Sequence, residues 1–136
     1  MRIALIIAAA HSGGTLGAFA DSISRGMQAM GHRVDTLDAR TEEGTRLPGY
    51  EYIVVLSEPI SLFSSKLPDC LPKILSAASM LVGKKSAAFL RSSGFFSVKA
   101  MSNLMRAMEK EGMFVNWSEF VAKASQAEAA AKRIGA

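Results

Sequence analysis

The residues best suited to chemistry form a short loop near the start of the chain, Ser12, Gly13, Gly14 and Thr15. An isoleucine-rich apolar segment precedes the loop, and a segment with helical apolar spacing follows it. Small side chains let the backbone wrap closely around an anion, while the unpaired N–H groups and the dipole of a helix start attract negative charge. The hydroxyls of Ser12 and Thr15 can donate further hydrogen bonds. The loop therefore predicts a phosphate site, and an ordinary glycine-rich turn with a Ser or Thr cap is the alternative.

Two other nucleotide-binding motifs fit this loop less well. Leu16 occupies the place of the lysine in a nucleoside triphosphate P-loop. A dinucleotide fingerprint would place Ser12, Gly14 and Gly17 at its three glycine positions, so its first glycine is missing. Asp38, at the end of the second predicted strand, can still bind a ribose, which keeps an NAD(P)-binding domain as an alternative.

Histidine and cysteine are scarce in this sequence. The chain has two histidines and one cysteine, which do not predict a metal site. His11 lies in the phosphate loop and can help to bind an anion, or act as a general acid or base. No Ser–His–Asp order or pair of carboxylates stands out, so no catalytic residue is predicted. Cys70 alone forms no internal disulfide, which fits a location in the reducing cytoplasm.

The rest of the sequence alternates predicted strands and helices. Continuous apolar runs indicate strands buried on both faces, and apolar residues three and four positions apart indicate helices. The alternation predicts an α/β fold, with a parallel sheet covered by helices on both faces. We expect strands at 2–9, 32–37, 50–56, 86–90 and 113–117, and helices that begin near residues 16, 70, 98 and 119.

The predicted topology also places the ligand. In such sheets a ligand lies beyond the carboxyl ends of the strands, where the strand order reverses. The loops that leave the sheet at this edge are 9–15, 57–68 and 91–97.

Length and composition restrict the classes of function. The 136 residues predict a single domain, 1–136. No apolar run reaches the roughly 18–20 residues of a membrane span, and we interpret the N-terminus as a buried strand rather than a signal peptide. The net charge of +4 comes from cations spread along the chain without a basic block, so we do not expect nucleic-acid binding. A positive balance favours anionic ligands or partners.

Residues 10–15, with the sequence Ala-His-Ser-Gly-Gly-Thr, resemble the phosphate signature of flavodoxins, (T/S)-x-T-G-x-T. The serine, the glycine after it and the threonine match in type, and Ala10 stands where the family has a hydroxyl. The resemblance continues in residues 47–55, in residues 83–89 and in the alanine-rich C-terminal segment. It implies the flavodoxin-like fold, a three-layer α/β/α sandwich with a five-stranded parallel sheet in the order 2-1-3-4-5. It also implies FMN as the cofactor.

The same resemblance assigns the flavin ring to the loops after the third and fourth strands. The ring needs apolar side chains against its face and backbone groups at its polar edge, which tune its redox potential. We interpret Glu58 as an insertion relative to the family's S-P-x-Y-x-G stretch. The cofactor-binding residues implied in these two loops are Pro59, Ile60, Leu62 and Phe63, followed by Ser92, Ser93, Gly94 and Phe95.

These features predict an FMN-binding redox protein, either an electron carrier or a small NAD(P)H-dependent flavin or quinone reductase. A redox protein partner or a homodimer would accompany that function. Familiar flavodoxins are acidic, whereas this chain is basic. The alternative is therefore a flavodoxin-fold protein that has lost FMN and binds a partner through Phe63, Phe95 and Phe96.

Overall fold

The computed structural model describes residues 1–10, 14, 16–43, 47–61, 63–78, 81–91 and 96–134. Strands and helices alternate along these residues, as the sequence predicts. The strands are β1 (Arg2–Ala8), β2 (Arg33–Asp38), β3 (Tyr52–Ser57), β4 (Lys85–Arg91) and β5 (Phe114–Val121). The helices are α1 (Leu16–Ala29), α2 (Cys70–Ala77), α3 (Ser97–Lys110) and α4 (Ala124–Ala131), with a short 3₁₀ helix at Leu47–Gly49. Within the described residues, no helix has the length and apolar character needed to cross a bilayer.

The five strands form one parallel sheet in the order β2-β1-β3-β4-β5. The predicted fold class and strand order are thus confirmed. Ala8 of β1 pairs with Ser57 of β3, and Ser57 pairs with Leu90 of β4. Because these strands end at the same level, the loops that follow them leave the sheet together at the carboxyl ends of the strands. We call this end of the sheet the carboxyl edge.

Two apolar cores cover the two faces of the sheet. On one face, Ile3, Leu5 and Phe89 pack against α1 and α4. On the other face, Ala4 and Ile6 belong to the core that packs against α2 and α3. β3 lies in the middle of the sheet and is buried along its whole length. This double burial explains why its sequence is a continuous apolar run instead of an alternating one.

Helices α1 and α4 approach each other closely on their face of the sheet. A Cβ atom at Gly26 of α1 would overlap the carbonyl oxygen of Glu128 and would lie 2.9 Å from the Cβ of Ala131. The buried residues of α4 are all alanines, namely Ala127, Ala130 and Ala131. The missing side chain at Gly26 and the small side chains of α4 therefore allow the two backbones to come together at this contact.

The last strand and helix differ from the sequence prediction, which ends the strand at residue 117 and begins the helix at residue 119. β5 continues to Val121, and α4 begins at Ala124. A β-bulge at Asn116 separates the two paired segments of β5, and after it residues 117–121 pair with residues 87–91 of β4. The predicted boundary is wrong because pairing resumes beyond the bulge and keeps this segment extended.

Candidate functional site

The carboxyl edge brings together the ends of β1, β3 and β4. The buried hydroxyl of Ser57 donates a hydrogen bond to the carbonyl oxygen of Ala8 at 3.0 Å. This bond fixes the two central strands to each other where their loops begin. The chain then leaves β1 toward α1 and β3 toward α2, which lie on opposite faces of the sheet. Such a divergence opens a crevice between the two loops.

Glu58 connects all three strand ends at this edge. Its Oε2 atom accepts a hydrogen bond from the backbone N–H of Ala10 at 3.0 Å. Its Oε1 atom lies 3.4 Å from Nη1 of Arg91, the last residue of β4. The side chains of Glu58 and Arg91 are only 11% and 29% exposed. Because both charges are largely shielded from water, their attraction offsets part of the cost of burying them.

The sequence interpretation missed this ion pair. Glu58 follows β3 directly and makes structural contacts in the site, and neither Glu58 nor Arg91 was among the predicted site residues. A signal was present, because an acid and a base stand at the carboxyl ends of two strands that were predicted to be neighbours. Only the strand register shows that the two side chains meet.

Four of the predicted cofactor-binding residues lie within the described part of the chain. Gly14 is exposed just before α1, and Pro59 is buried beside Glu58. Ile60 is 39% exposed and Phe63 is 73% exposed. Two large apolar side chains of one loop are therefore accessible at the carboxyl edge. The other nine predicted residues lie outside the described residues: His11, Ser12, Gly13, Thr15, Leu62, Ser92, Ser93, Gly94 and Phe95.

The loop that carries Phe63 is closed by hydrogen bonds at its base. The N–H of Ile60 donates to the carbonyl oxygen of Lys66 at 2.9 Å, and the N–H of Lys66 donates to the hydroxyl of Ser64 at 3.0 Å. Asn103 of α3 donates from Nδ2 to the carbonyl oxygen of Ser65 at 3.0 Å. These bonds hold the 60–66 loop in place against α3.

A cavity of about 260 Å³ lies in the crevice between the loops after β1 and β3. Its charged side chains are Arg40, Lys66 and Asp69, and Lys66 lies 3.9 Å from Asp69 in an exposed ion pair. A second cavity of about 630 Å³ adjoins it beside the end of β2 and shares Arg40, Asp69 and Cys70. The lining of the first cavity has an excess of positive charge, which suits an anionic ligand.

Asp38, the candidate ribose ligand, takes part in the turn after β2. Its Oδ1 atom accepts the N–H of Arg40 at 2.9 Å, and its carbonyl oxygen accepts the N–H of Thr41 at 3.1 Å. One carboxylate oxygen is therefore already used to shape the turn that presents Arg40 to the crevice.

Cys70 lies at the start of α2 and lines both cavities of the carboxyl edge. Burial raises the pKa of its thiol, so the thiolate form is disfavoured at neutral pH. Its Sγ atom lies 4.0 Å from the carbonyl oxygen of Ala9 as a weak donor. Within the described residues, no three potential metal ligands cluster together.

Solved flavodoxin structures share this architecture. The oxidised flavodoxin 1 from Bacillus cereus has a TM-score of 0.72 and 20% identity, over 99% of this chain and 95% of that one. The Streptococcus pneumoniae TIGR4 flavodoxin has a TM-score of 0.76 and 13% identity, over 98% of this chain and 94% of that one. A flavodoxin from the domain Archaea has a TM-score of 0.70 and 19% identity, over 98% and 96% of the two chains.

No family model matches the chain, and neither does any curated protein. At sequence identities of 13–20%, these solved structures show a likeness of fold alone. The chain therefore has the flavodoxin-like fold, and the resemblance seen in its sequence is confirmed at that level.

Proposed function

We propose that the chain binds FMN at the carboxyl edge and works in the cytoplasm as a single-domain redox protein. The observation that carries this proposal is a pair of exposed apolar side chains, Ile60 and Phe63, on a closed loop beside the predicted phosphate loop. FMN has a phosphate at one end and an apolar ring at the other, so it needs such a combination. When bound, the flavin supplies the electron transfer.

For the phosphate, the proposed ligands are the N–H groups and hydroxyls of residues 12–15, with His11 beside them. α1 begins at Leu16, so the positive end of its dipole lies at this loop. Arg40 and Lys66 line the adjoining crevice and add positive charge. This set of donors and cations fits the chemistry of a phosphate group.

For the ring, the proposed contacts are Pro59, Ile60, Leu62 and Phe63 from one loop and residues 92–95 from the other. A ring against Phe63 would cover a side chain that is 73% exposed, and apolar burial contributes about 25 cal/mol per Å². The bonds that close the 60–66 loop reduce the entropy lost when the loop is ordered around a ligand. The ion pair of Glu58 and Arg91 holds together the strand ends from which both ring loops start.

Both redox roles, electron carrier and small NAD(P)H-dependent flavin or quinone reductase, use this same site. A carrier needs a protein partner that reaches the ring, whereas a reductase needs room for nicotinamide on the ring, often supplied by a second subunit. Anaerobic addition of NADPH to the flavin-loaded protein separates the roles, because only a reductase will bleach the flavin directly.

A flavin-free binding module is the second candidate function, and one observation favours it. The N–H of Ala10 is taken by the Glu58 carboxylate, and Ala10 has no hydroxyl. Ala10 therefore offers an anion neither its backbone N–H nor a hydroxyl, and the negative charge of Glu58 lies beside it. In that case Phe63 and Phe96, which are 73% and 45% exposed, would contact a protein partner.

The visible absorption spectrum tests the proposal directly. The purified protein is measured before and after addition of excess FMN and removal of unbound flavin. A retained flavin spectrum supports FMN binding, and a colourless protein that rejects FMN overturns it in favour of the flavin-free module.

Charge-reversal variants then test the phosphate loop. Ser12→Glu and Thr15→Glu place a carboxylate where the phosphate is proposed, so each should abolish FMN retention. Ser102→Glu, at an exposed position of α3, is the matched control and should retain FMN as the unmodified chain does. Equal retention in all variants would show that the phosphate lies elsewhere.

A further inference from the structure

A cavity of about 460 Å³ lies at the amino ends of the strands, on the side of the sheet opposite the proposed flavin site. Tyr52 and Lys85 pair with each other at the starts of β3 and β4. Asn116 and Trp117 come from the bulged part of β5, and Arg133 follows α4. These side chains provide the polar lining of the amino-edge cavity.

Among the described residues that line this cavity, the charged side chains are both positive. They are Lys85 and Arg133, and no acidic side chain is among these residues. Among the residues that the structure describes, no carboxylate lies within 4.0 Å of either cation. Elsewhere on the surface, Arg25 and Lys66 have acidic neighbours. Two cations without a counter-ion around one concave surface produce a positive field that attracts anions.

The hydrogen-bonding groups of the cavity, like its charged side chains, favour an anion. The Tyr52 hydroxyl donates to Oδ1 of Asn116, which uses the amide oxygen and leaves the amide N–H groups as donors. Trp117 Nε1 is buried and has no hydrogen-bond partner among the described residues. The guanidinium of Arg133 lies over the Trp117 ring, 5.9 Å from its centroid. The Trp117 N–H is enclosed in the core, so the donors that face the cavity come from the Asn116 amide and the two cations.

The bulge in β5 accounts for this concentration of donors. Asn116 is the extra residue between the pairs Ser86–Val115 and Ala87–Trp117. Bulges reorient the side chains of a strand and recur next to functional sites. Here the bulge brings Asn116 to Tyr52 and turns Trp117 toward the core that contains α4.

We propose that the amino-edge cavity binds a small anion that presents oxygen acceptors, a phosphate or carboxylate group, between Lys85 and Arg133. Such an anion would supply the negative charge that the two cations lack and an acceptor for the amide N–H groups of Asn116. The proposal rests on the described residues of β3, β4, β5 and the segment after α4. It does not depend on whether the carboxyl edge binds FMN.

The intrinsic fluorescence of the protein reports directly on this cavity, because Trp117 is its single tryptophan. The full chain is titrated with sodium phosphate and, separately, with sodium acetate, and sodium chloride keeps the ionic strength constant. A saturable change in Trp117 emission with either anion supports the site, and the comparison shows which oxyanion it prefers. No change, or a change that chloride reproduces, overturns the proposal.

Variants locate the bound anion. Lys85→Gln should weaken binding about tenfold, the loss expected for one hydrogen bond to a charged group. Lys99→Gln removes an equal charge from exposed α3 and should leave the affinity unchanged. Arg133→Gln also alters the surroundings of the fluorophore, so its affinity is measured by calorimetry. If Lys85→Gln and Lys99→Gln behave alike, the anion is not held in this cavity.

Repeating the titration by calorimetry on the FMN-loaded chain, after removal of unbound flavin, separates the two edges. The anion effect should persist, because the amino-edge cavity and the predicted phosphate loop lie on opposite sides of the sheet. Loss of the effect would place the anion in the phosphate loop and overturn the amino-edge site. A chain that binds the anion but no FMN would contradict the proposed function alone.

Discussion

Glu58 and Arg91 carry opposite charges, and both side chains are largely shielded from water. Glu58→Gln keeps an acceptor for the N–H of Ala10 but removes the negative charge that lies 3.4 Å from Nη1 of Arg91. We expect the free energy of unfolding to fall by about 2 kcal/mol, since a largely shielded ion pair is lost. Urea denaturation of the two proteins measures this difference.

The exposed ion pair of Lys66 and Asp69 provides the control for Glu58. Its side chains are 67% and 93% exposed, so Lys66→Gln should cost less than about 1 kcal/mol. The double variant Glu58→Gln with Arg91→Gln should recover part of the loss, because no uncompensated charge remains. If Glu58→Gln and Lys66→Gln lowered the free energy of unfolding equally, water would screen the two ion pairs alike.

Tyr52 makes the stability of the protein depend on pH in the alkaline range. Burial raises the pKa of its hydroxyl to about 12, above the ordinary value of about 10. The folded protein therefore holds this proton more tightly than the unfolded chain. The resulting stabilisation is fully present below about pH 10 and is lost as the pH rises through about 12.

Tyr52→Phe isolates this contribution. The free energy of unfolding of the unmodified chain should fall more steeply between about pH 10 and about pH 12 than that of the variant. Other groups that titrate in this range, such as lysines, affect both proteins equally. Parallel pH profiles in urea denaturation would show that Tyr52 titrates alike in the folded and unfolded chains.

At the scale of elements, the contact between α1 and α4 depends on one missing side chain. Gly26→Ala would force a methyl group into the carbonyl oxygen of Glu128 and the side chain of Ala131. Such overpacking costs about 1–3 kcal/mol. Gly17→Ala is the matched control in the same helix, because a Cβ there meets no atom within 4 Å.

The two substitutions in α1 should change stability in opposite directions. Gly17→Ala should raise the free energy of unfolding by about 0.5–1 kcal/mol, because alanine is less flexible than glycine in the unfolded chain. Thermal unfolding of the two variants, compared with the unmodified chain, measures both effects. A higher free energy of unfolding for Gly26→Ala would show that α4 can move away from α1 without loss of stability.

The elements also show how far the sequence predicts the fold. Apolar runs and their alternation with helical segments are local patterns, and they predicted the parallel α/β architecture correctly. The strand order was implied by the resemblance to flavodoxins and is also confirmed. The bulge at Asn116 and the extension of β5 depend on pairing with β4, a contact that no local pattern encodes. The contacts of Glu58 were missed for the same reason, because its partners Ala10 and Arg91 are distant in sequence. The phosphate-loop and ring residues remain predictions.

At the scale of the whole molecule, charge distinguishes this chain from an acidic electron carrier. Its net charge is +4, and both ligands proposed for it are anions. Arg40 and Lys66 line the crevice at the carboxyl edge, and Lys85 and Arg133 line the cavity at the amino edge. The positive excess in the linings of these two cavities would steer anions toward either site.

This steering predicts that FMN binds more slowly as salt is added. Between about 20 mM and about 500 mM sodium chloride, the association rate constant of FMN should fall by at least about threefold, because the Debye length shrinks to a few ångströms. Riboflavin has the same ring without the phosphate and should show little change. Stopped-flow quenching of flavin fluorescence measures both rates.

Arg40→Gln tests whether the crevice or the whole surface provides the attraction. Arg40 lines the carboxyl-edge cavities, so its loss should lower the rate constant of FMN at low salt more than Lys99→Gln does. The two variants have the same net charge, and any difference between them therefore comes from position alone. If FMN and riboflavin respond equally to salt, the phosphate does not sense this field. The positive charge of the chain would then serve its partners rather than its cofactor.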